Sequence, residues 1–183
     1  MAENPSQELI LLLREIEQRS RQNAADLPES AQAQGLWEGI LFKITGTDVV
    51  APLDEVKEIL TYPSGLTPVP GAKRWLVGIS NVRGNLLPVV DLQVFLGGQP
   101  IVPGKRSRVL VINFNGHSTG LLVGNVQGMK HFTADQRVAA PTVTGPLGQY
   151  LREAFKTGPE GDELPVFSMR RLSDSPGFQV AAA

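Results

Sequence analysis

Two stretches of this chain repeat one pattern, and the repeat limits the fold more than any other feature. "ILFKITGTDVVAPLDEVKEIL" (residues 40–60) and "VLVINFNGHSTGLLVGNVQGM" (109–129) both read as strand, polar turn, strand, then a valine with an apolar residue three places on. Val56 of the first matches Val126 of the second. "TPVP" (67–70) is answered by "VAAP" (138–141), and "LLPVVDL" (86–92) by "ELPVFSM" (163–169). Self-similarity of this kind marks a duplicated structural unit. Ile40, Phe42 and Ile44 alternate with Leu41 and Lys43, the two-residue period of a half-buried strand. The 19 glycines and 14 prolines supply turns at short intervals. The expected fold is mainly β: two units of about five short strands, each closed into a small barrel so that no sheet edge is exposed.

The first unit is expected over residues 35–98 and the second over 105–172, the two forming one domain rather than independent ones. "GGQPIVPGKRSR" (97–108) marks the boundary, and 173–183 reads as a tail. "WLVGISNV" (75–82) and "LLPVVDL" flank Arg83, Gly84 and Asn85, which predicts a tight hairpin. Asp91 is placed to cap a short helix, "LQVFL", that Gly97 can end. "DEVKEIL" (54–60) fits a strand or a short helix. Leu147 to Phe155 reads as a short helix in an insertion near 142–161. Ahead of both units, residues 1–34 read as a helix and linker. Asn4 can cap that helix, Pro5 suits its first position, and Leu9, Leu12, Leu13 and Ile16 form one stripe. That stripe suits packing on the chain's own domain or docking on a partner.

Chemistry is harder to find. Lys+Arg 17 against Asp+Glu 18 leaves a net charge of -1, so no global field attracts nucleic acid or an anionic membrane. Aromatics are 6% and fall mainly within apolar strands, unlike a base-stacking surface. There is no cysteine, hence no disulfide, thiolate nucleophile or Cys-based metal site. His117 and His131 have no ligand partner at helical spacing and read as surface residues, so no metal is expected. "GQPIVPGKR" fails the spacing of a phosphate loop, and Ser80 lacks the glycine frame of a nucleophile elbow. Asp54, Glu55 and Glu58 cluster in a charged segment expected to face solvent. The apolar block Leu9 to Leu13 is too short for a signal peptide and follows Glu3 and Glu8. The chain is therefore expected to be cytoplasmic, without membrane insertion, catalytic residues or cofactor. Many strands with no reactive constellation point to a binding module.

At this point the motifs bear on a family. "WLVGISNVRGNLLPVVDLQVFLG", "PLDEVKEIL" and "TPVPG" together resemble the signature of CheW-like chemotaxis coupling proteins, over residues 36 to 172. The leading segment "EIEQRSRQNAADLP", with "LWEGILFKI" and "VAPLDEVKEIL", resembles the branch of that family serving type IV pili and twitching motility. The resemblance implies two five-stranded SH3-like barrels packed together, with an added N-terminal helix. It also implies an adaptor without catalytic activity. Its partners would be the regulatory domain of a CheA-type histidine kinase and the cytoplasmic tip of a methyl-accepting chemoreceptor, the tip entering a groove between the barrels.

By the same resemblance, Arg83 is the motif arginine, Glu58 its ion-pair partner, and Val56 a receptor contact; Val126 is the counterpart of Val56 in the second unit. Asn81 and Gly84 are expected to shape the turn that carries Arg83, and Asp91 to be a cap. Arg83 with Glu58 also fits a purely structural clasp. Ala51-Pro52 departs from the family pattern and is expected to alter local pairing, because proline lacks a donor. Other readings are a coupling protein of a flagellar chemotaxis pathway, a regulator competing for the same kinase, and a small β-barrel enzyme using Asp54 and Glu58.

Overall fold

The computed structural model describes residues 36–114, 116–158 and 161–181. The helix expected within residues 1–34 lies outside them. The alternating segments form the expected strands. The first unit contains β1 (Trp37–Ile44), β2 (Thr47–Pro52), β3 (Glu58–Thr61), β4 (Leu66–Thr67), β5 (Leu76–Val82), β6 (Asn85–Asp91) and helix α1 (Leu92–Phe95). The second repeats that order with β7 (Arg108–Phe114), β8 (His117–Val123), β9 (Asn125–Phe132), β10 (Arg137–Ala139), β11 (Leu151–Lys156), β12 (Glu163–Phe167) and helix α2 (Met169–Asp174). A last short helix, α3 (Pro176–Gln179), follows.

The strands assemble differently from two five-stranded barrels. They form two six-stranded sheets, ordered β10-β11-β12-β2-β1-β9 and β4-β5-β6-β8-β7-β3. The β1–β2 hairpin of the first unit lies in the sheet of the second, and β7–β8 makes the reciprocal exchange. Parallel pairing joins each guest hairpin to its host: Val50 lies opposite Val166, and Val89 to Asp91 opposite Gly120 to Leu122. The remaining pairs are antiparallel.

Among the described residues neither sheet closes by a hydrogen-bond ladder, so they do not form the expected closed barrels. Side chains close them instead. In the first sheet, Phe132 on the edge strand β9 stacks 4.7 Å from Phe155 of β11, over Leu41, Val50 and Val166. In the second, Leu60 of β3 and Leu66 of β4 come from opposite edges onto Leu87, Val89, Val109 and Val111. A third, larger core includes Ile40, Phe42, Val49, Ala51, Leu110, Ile112, Leu121 and Phe167, drawn from both sheets. This arrangement explains the apolar runs. Leu41 and Val50 face the inner cluster of their sheet while Ile40, Phe42, Val49 and Ala51 face the shared core, so both faces exclude water.

Asp91 caps α1, accepting from the backbone N–H groups of Gln93 and Val94, each at 3.0 Å. Ser168, at the matching place, caps α2 through the Arg171 N–H. "DEVKEIL" resolves into a 3-10 turn at Leu53–Glu55 followed by β3. Pro52 ends β2 opposite Gly39, where the chain is turning and needs no further ladder donor. The helix expected at Leu147 to Phe155 is instead a 3-10 turn, Gly148–Tyr150, followed by β11. Leu147, Leu151 and Phe155 imitate a helical stripe, but pairing Leu151 with Phe167 and Phe155 with Leu164 satisfies their backbone and buries their side chains. Of the stretch read as a tail, residues 173–181 are folded: Phe178 packs on the shared core, and the Lys73 N–H donates to the Ala181 carbonyl at 2.9 Å.

Candidate functional site

The β5–β6 hairpin turns through Arg83 and Gly84, with Val82 opposite Asn85. Both turn residues have positive φ, 50° and 85°. A two-residue turn of this kind matches the right-handed twist of its strands. Glycine adopts that conformation freely, whereas for arginine it carries strain of about 1–2 kcal/mol. Asn81 Oδ1 accepts from the Gly84 N–H at 2.9 Å and pins the turn. The Arg83 side chain is 77% exposed, and its Nη1 lies 3.1 Å from Glu58 Oε2. Glu58 opens β3, so the pair bridges two strands that are not neighbours in the sheet. It rests on a single nitrogen–oxygen contact rather than a two-pronged one, and exposed pairs of this kind contribute about 0–1 kcal/mol.

Val56 is 8% exposed and belongs to the shared core; Val126, half-buried and opposite Phe42, packs against that core. The two equivalent valines therefore meet one hydrophobic cluster from two units.

Glu55 departs from the solvated face expected for its cluster. Its side chain is 9% exposed. Oε2 accepts from the N–H groups of Met169 at 2.6 Å and Arg170 at 3.2 Å, and Oε1 from Arg152 Nη1 at 3.1 Å. Arg152 Nε also meets Glu153 at 3.2 Å, and Arg137 meets the same carboxylate at 3.4 Å. Sequence reasoning missed this because the partners lie 97 and more residues away along the chain.

Three cavities adjoin around the end of the β7–β8 hairpin. One, of 600 Å³, is mainly apolar, with Trp75, Leu76, Ile79, Phe114 and Phe178 on its walls. Trp75 and Phe178 stack there with centroids 6.0 Å apart. The second, of 420 Å³, lies between Asp54, Glu55 and Lys57 on one side and Met169 and Arg170 on the other, sharing Ile112 and Phe114 with the first. The third, of 570 Å³, is walled by Lys57, Glu58, Arg83, Leu86 and His117. Arg83, Glu58, Lys57 and Glu55 are thus brought onto one grooved surface, while Asn81 and Gly84 act from the turn behind it and Val56 from the core beneath.

Asp54 and Glu58 line different cavities, so they do not form the paired-carboxylate site that an enzyme reading needs. Among the described residues no cluster of His, Asp or Glu has the geometry to hold a metal ion. His131 instead faces Glu38 across β1 and β9, at 3.0 Å. No helix among the described residues is long and apolar enough to cross a membrane.

Comparison with known proteins agrees with this architecture. The model of the CheW-like domain matches residues 38–176. The chain is 39% identical over 170 residues to Protein PilI of Pseudomonas aeruginosa, covering 91% of this chain and 92% of that protein. It is 30% identical over 149 residues to Protein FrzA of Myxococcus xanthus, covering 81% of this chain and 92% of that protein. The fold matches the crystal structure of the scaffolding protein TtCheW from Thermoanaerobacter tengcongensis with a TM-score of 0.67, at 20% identity, over 80% of this chain and 99% of that one. The duplicated unit, the exchanged hairpins and the arginine-bearing turn are therefore features of a chain that belongs to the CheW-like family of chemotaxis coupling proteins.

Proposed function

We propose that this protein is a non-catalytic cytoplasmic adaptor. It couples the cytoplasmic tip of a methyl-accepting chemoreceptor to the regulatory domain of a CheA-type histidine kinase, in a chemosensory system controlling type IV pili and twitching motility. The observation that carries this reading is the composite groove. It is apolar around Trp75 and Phe178 and charged around Arg83 and Glu58. An amphipathic helix fits such a surface, its apolar face filling one part while charged groups set its register. Likeness to PilI over nearly the whole chain supports the pilus system over a flagellar one. Arg83 and Glu58 are the proposed polar contacts. Asn81 and Gly84 present Arg83, and Val56 and Val126 support the groove from below.

Titration calorimetry tests the reading. Purified protein is titrated with a receptor-tip helical hairpin and, separately, with a CheA-type regulatory domain. Binding to both is expected, and Arg83→Ala should weaken hairpin binding selectively. Folded protein that binds neither partner overturns the adaptor reading. Equal hairpin affinity in Arg83→Ala removes Arg83 from the contact surface.

A further inference from the structure

We infer that Glu55 is a positioning residue for this groove: its carboxylate fixes the spacing of two groove walls, and so sets how tightly a partner helix is held. The inference rests on the adaptor reading for its ligand. Its geometry stands on its own. Between β2 and β3 the chain leaves one sheet and enters the other. Glu55 lies in that crossover, immediately before the buried Val56. The crossover supplies Asp54 and Lys57 to one wall of the 420 Å³ cavity, and α2 supplies Met169 and Arg170 to the other. Glu55 spans the gap, bonding the first two N–H groups of α2 while Arg152 of β11 holds its other oxygen. Charge-assisted bonds in so enclosed a place are stronger than neutral ones and resist shear between the walls.

The repeat shows that this tie is one-sided. Where Val56 matches Val126, Glu55 matches Asn125, and the second crossover carries no carboxylate there. The helices differ in the same sense. Asp91 satisfies two N–H groups of α1 from its own hairpin, whereas Ser168 bonds only Arg171 and leaves the first two donors of α2 to Glu55. The carboxylate that the end of β6 supplies to α1 is matched, at α2, by one from the opposite wall. The cap of α2 has thereby become a strut across the groove.

The test compares Glu55→Gln and Glu55→Asp with Ser168→Ala, which uncaps the same helix without touching the opposite wall. Two readouts are taken on the full chain: calorimetric affinity for the receptor-tip hairpin, and amide hydrogen exchange without any partner. Glu55→Gln is expected to weaken the hairpin by ~10-fold or more. Exchange should rise together at residues 53–57 and 169–173. Glu55→Asp, charged but shorter, should fall between. Ser168→Ala should loosen only the helix and retain affinity. Equal loss of affinity in Glu55→Gln and Ser168→Ala overturns the inference, as does unchanged exchange in the crossover of Glu55→Gln and Glu55→Asp. A wild-type protein that fails to bind the hairpin overturns the adaptor reading alone, because the exchange experiment still decides whether Glu55 holds the walls.

Discussion

Asp91 and Ser168 hold the same place in two matching hairpins, and each side chain caps the helix that follows it. They are unequal in reach. Asp91 is buried and also accepts from the Ile101 N–H at 2.8 Å, tying down the connection between the units. Ser168 satisfies one donor. Asp91→Ala strips three part-buried donors of their acceptor and is expected to cost about 3–5 kcal/mol, against about 1 kcal/mol for Ser168→Ala. Urea unfolding of the two variants side by side reads the difference. Equal costs would mean that neither the second cap bond of Asp91 nor its bond to Ile101 adds to stability.

Arg83 separates backbone strain from side-chain chemistry. Arg83→Gly relieves the positive φ but loses the Glu58 contact and adds the backbone entropy that glycine gives up on folding, so the terms oppose one another. Its melting temperature should stay close to wild type. Arg83→Val places a β-branched residue at the same φ and should be less stable by about 1–2 kcal/mol. Thermal unfolding checks both. A marked loss in Arg83→Gly would show that the ion pair is a structural clasp stronger than its exposure implies.

Val56 lies too deep for a surface probe. A family contact at this position leads one to expect Val56→Asp to fold normally, but at 8% exposure the new carboxylate would enter the shared core without a partner. A loss of several kcal/mol is expected, on the order of 3 or more, against about 2 for Val56→Ala. Chemical denaturation distinguishes them, and Val56→Asp as stable as Val56→Ala would place the side chain nearer solvent than described.

Phe155 lies at the point where the first sheet closes. It stacks on Phe132 and lies 4.5 Å from the Trp37 ring, with Arg137 5.6 Å above it. Phe155→Leu should cost about 1–2 kcal/mol and Phe155→Ala about 3–5 kcal/mol. Trp37 fluorescence during unfolding reports both, and a small effect of the alanine would mean the edge strand β9 is held by its ladder alone.

Local features were legible in the sequence because their causes are local. The Arg83–Gly84 hairpin follows from a glycine between apolar runs, and the α1 cap from an aspartate before one. The exchange of hairpins was not legible. "ILFKI" and "VLVIN" carry the same alternation, and alternation states which face is buried without stating which strand lies alongside. Closure was misread for a related reason: Phe132 on Phe155 shields an edge as well as a ladder does, and no period records it. Leu147 to Phe155 carried a helical stripe that tertiary pairing overrode. Glu55 stood among other acids, and only the fold brings the free donors of α2 to it.

The exchanged hairpins give each unit a debt to the other. A cut within residues 98–106 would leave two fragments, each carrying two strands whose parallel partners are on the other fragment. Neither could complete a sheet alone, and the shared core would be split between them. Such fragments should be unstructured apart and should fold on mixing, so assembly of the native state becomes a bimolecular reaction. The duplicated units would then complement each other within a single chain, and the grooved surface, walled by residues of both, would form only once the hairpins are exchanged.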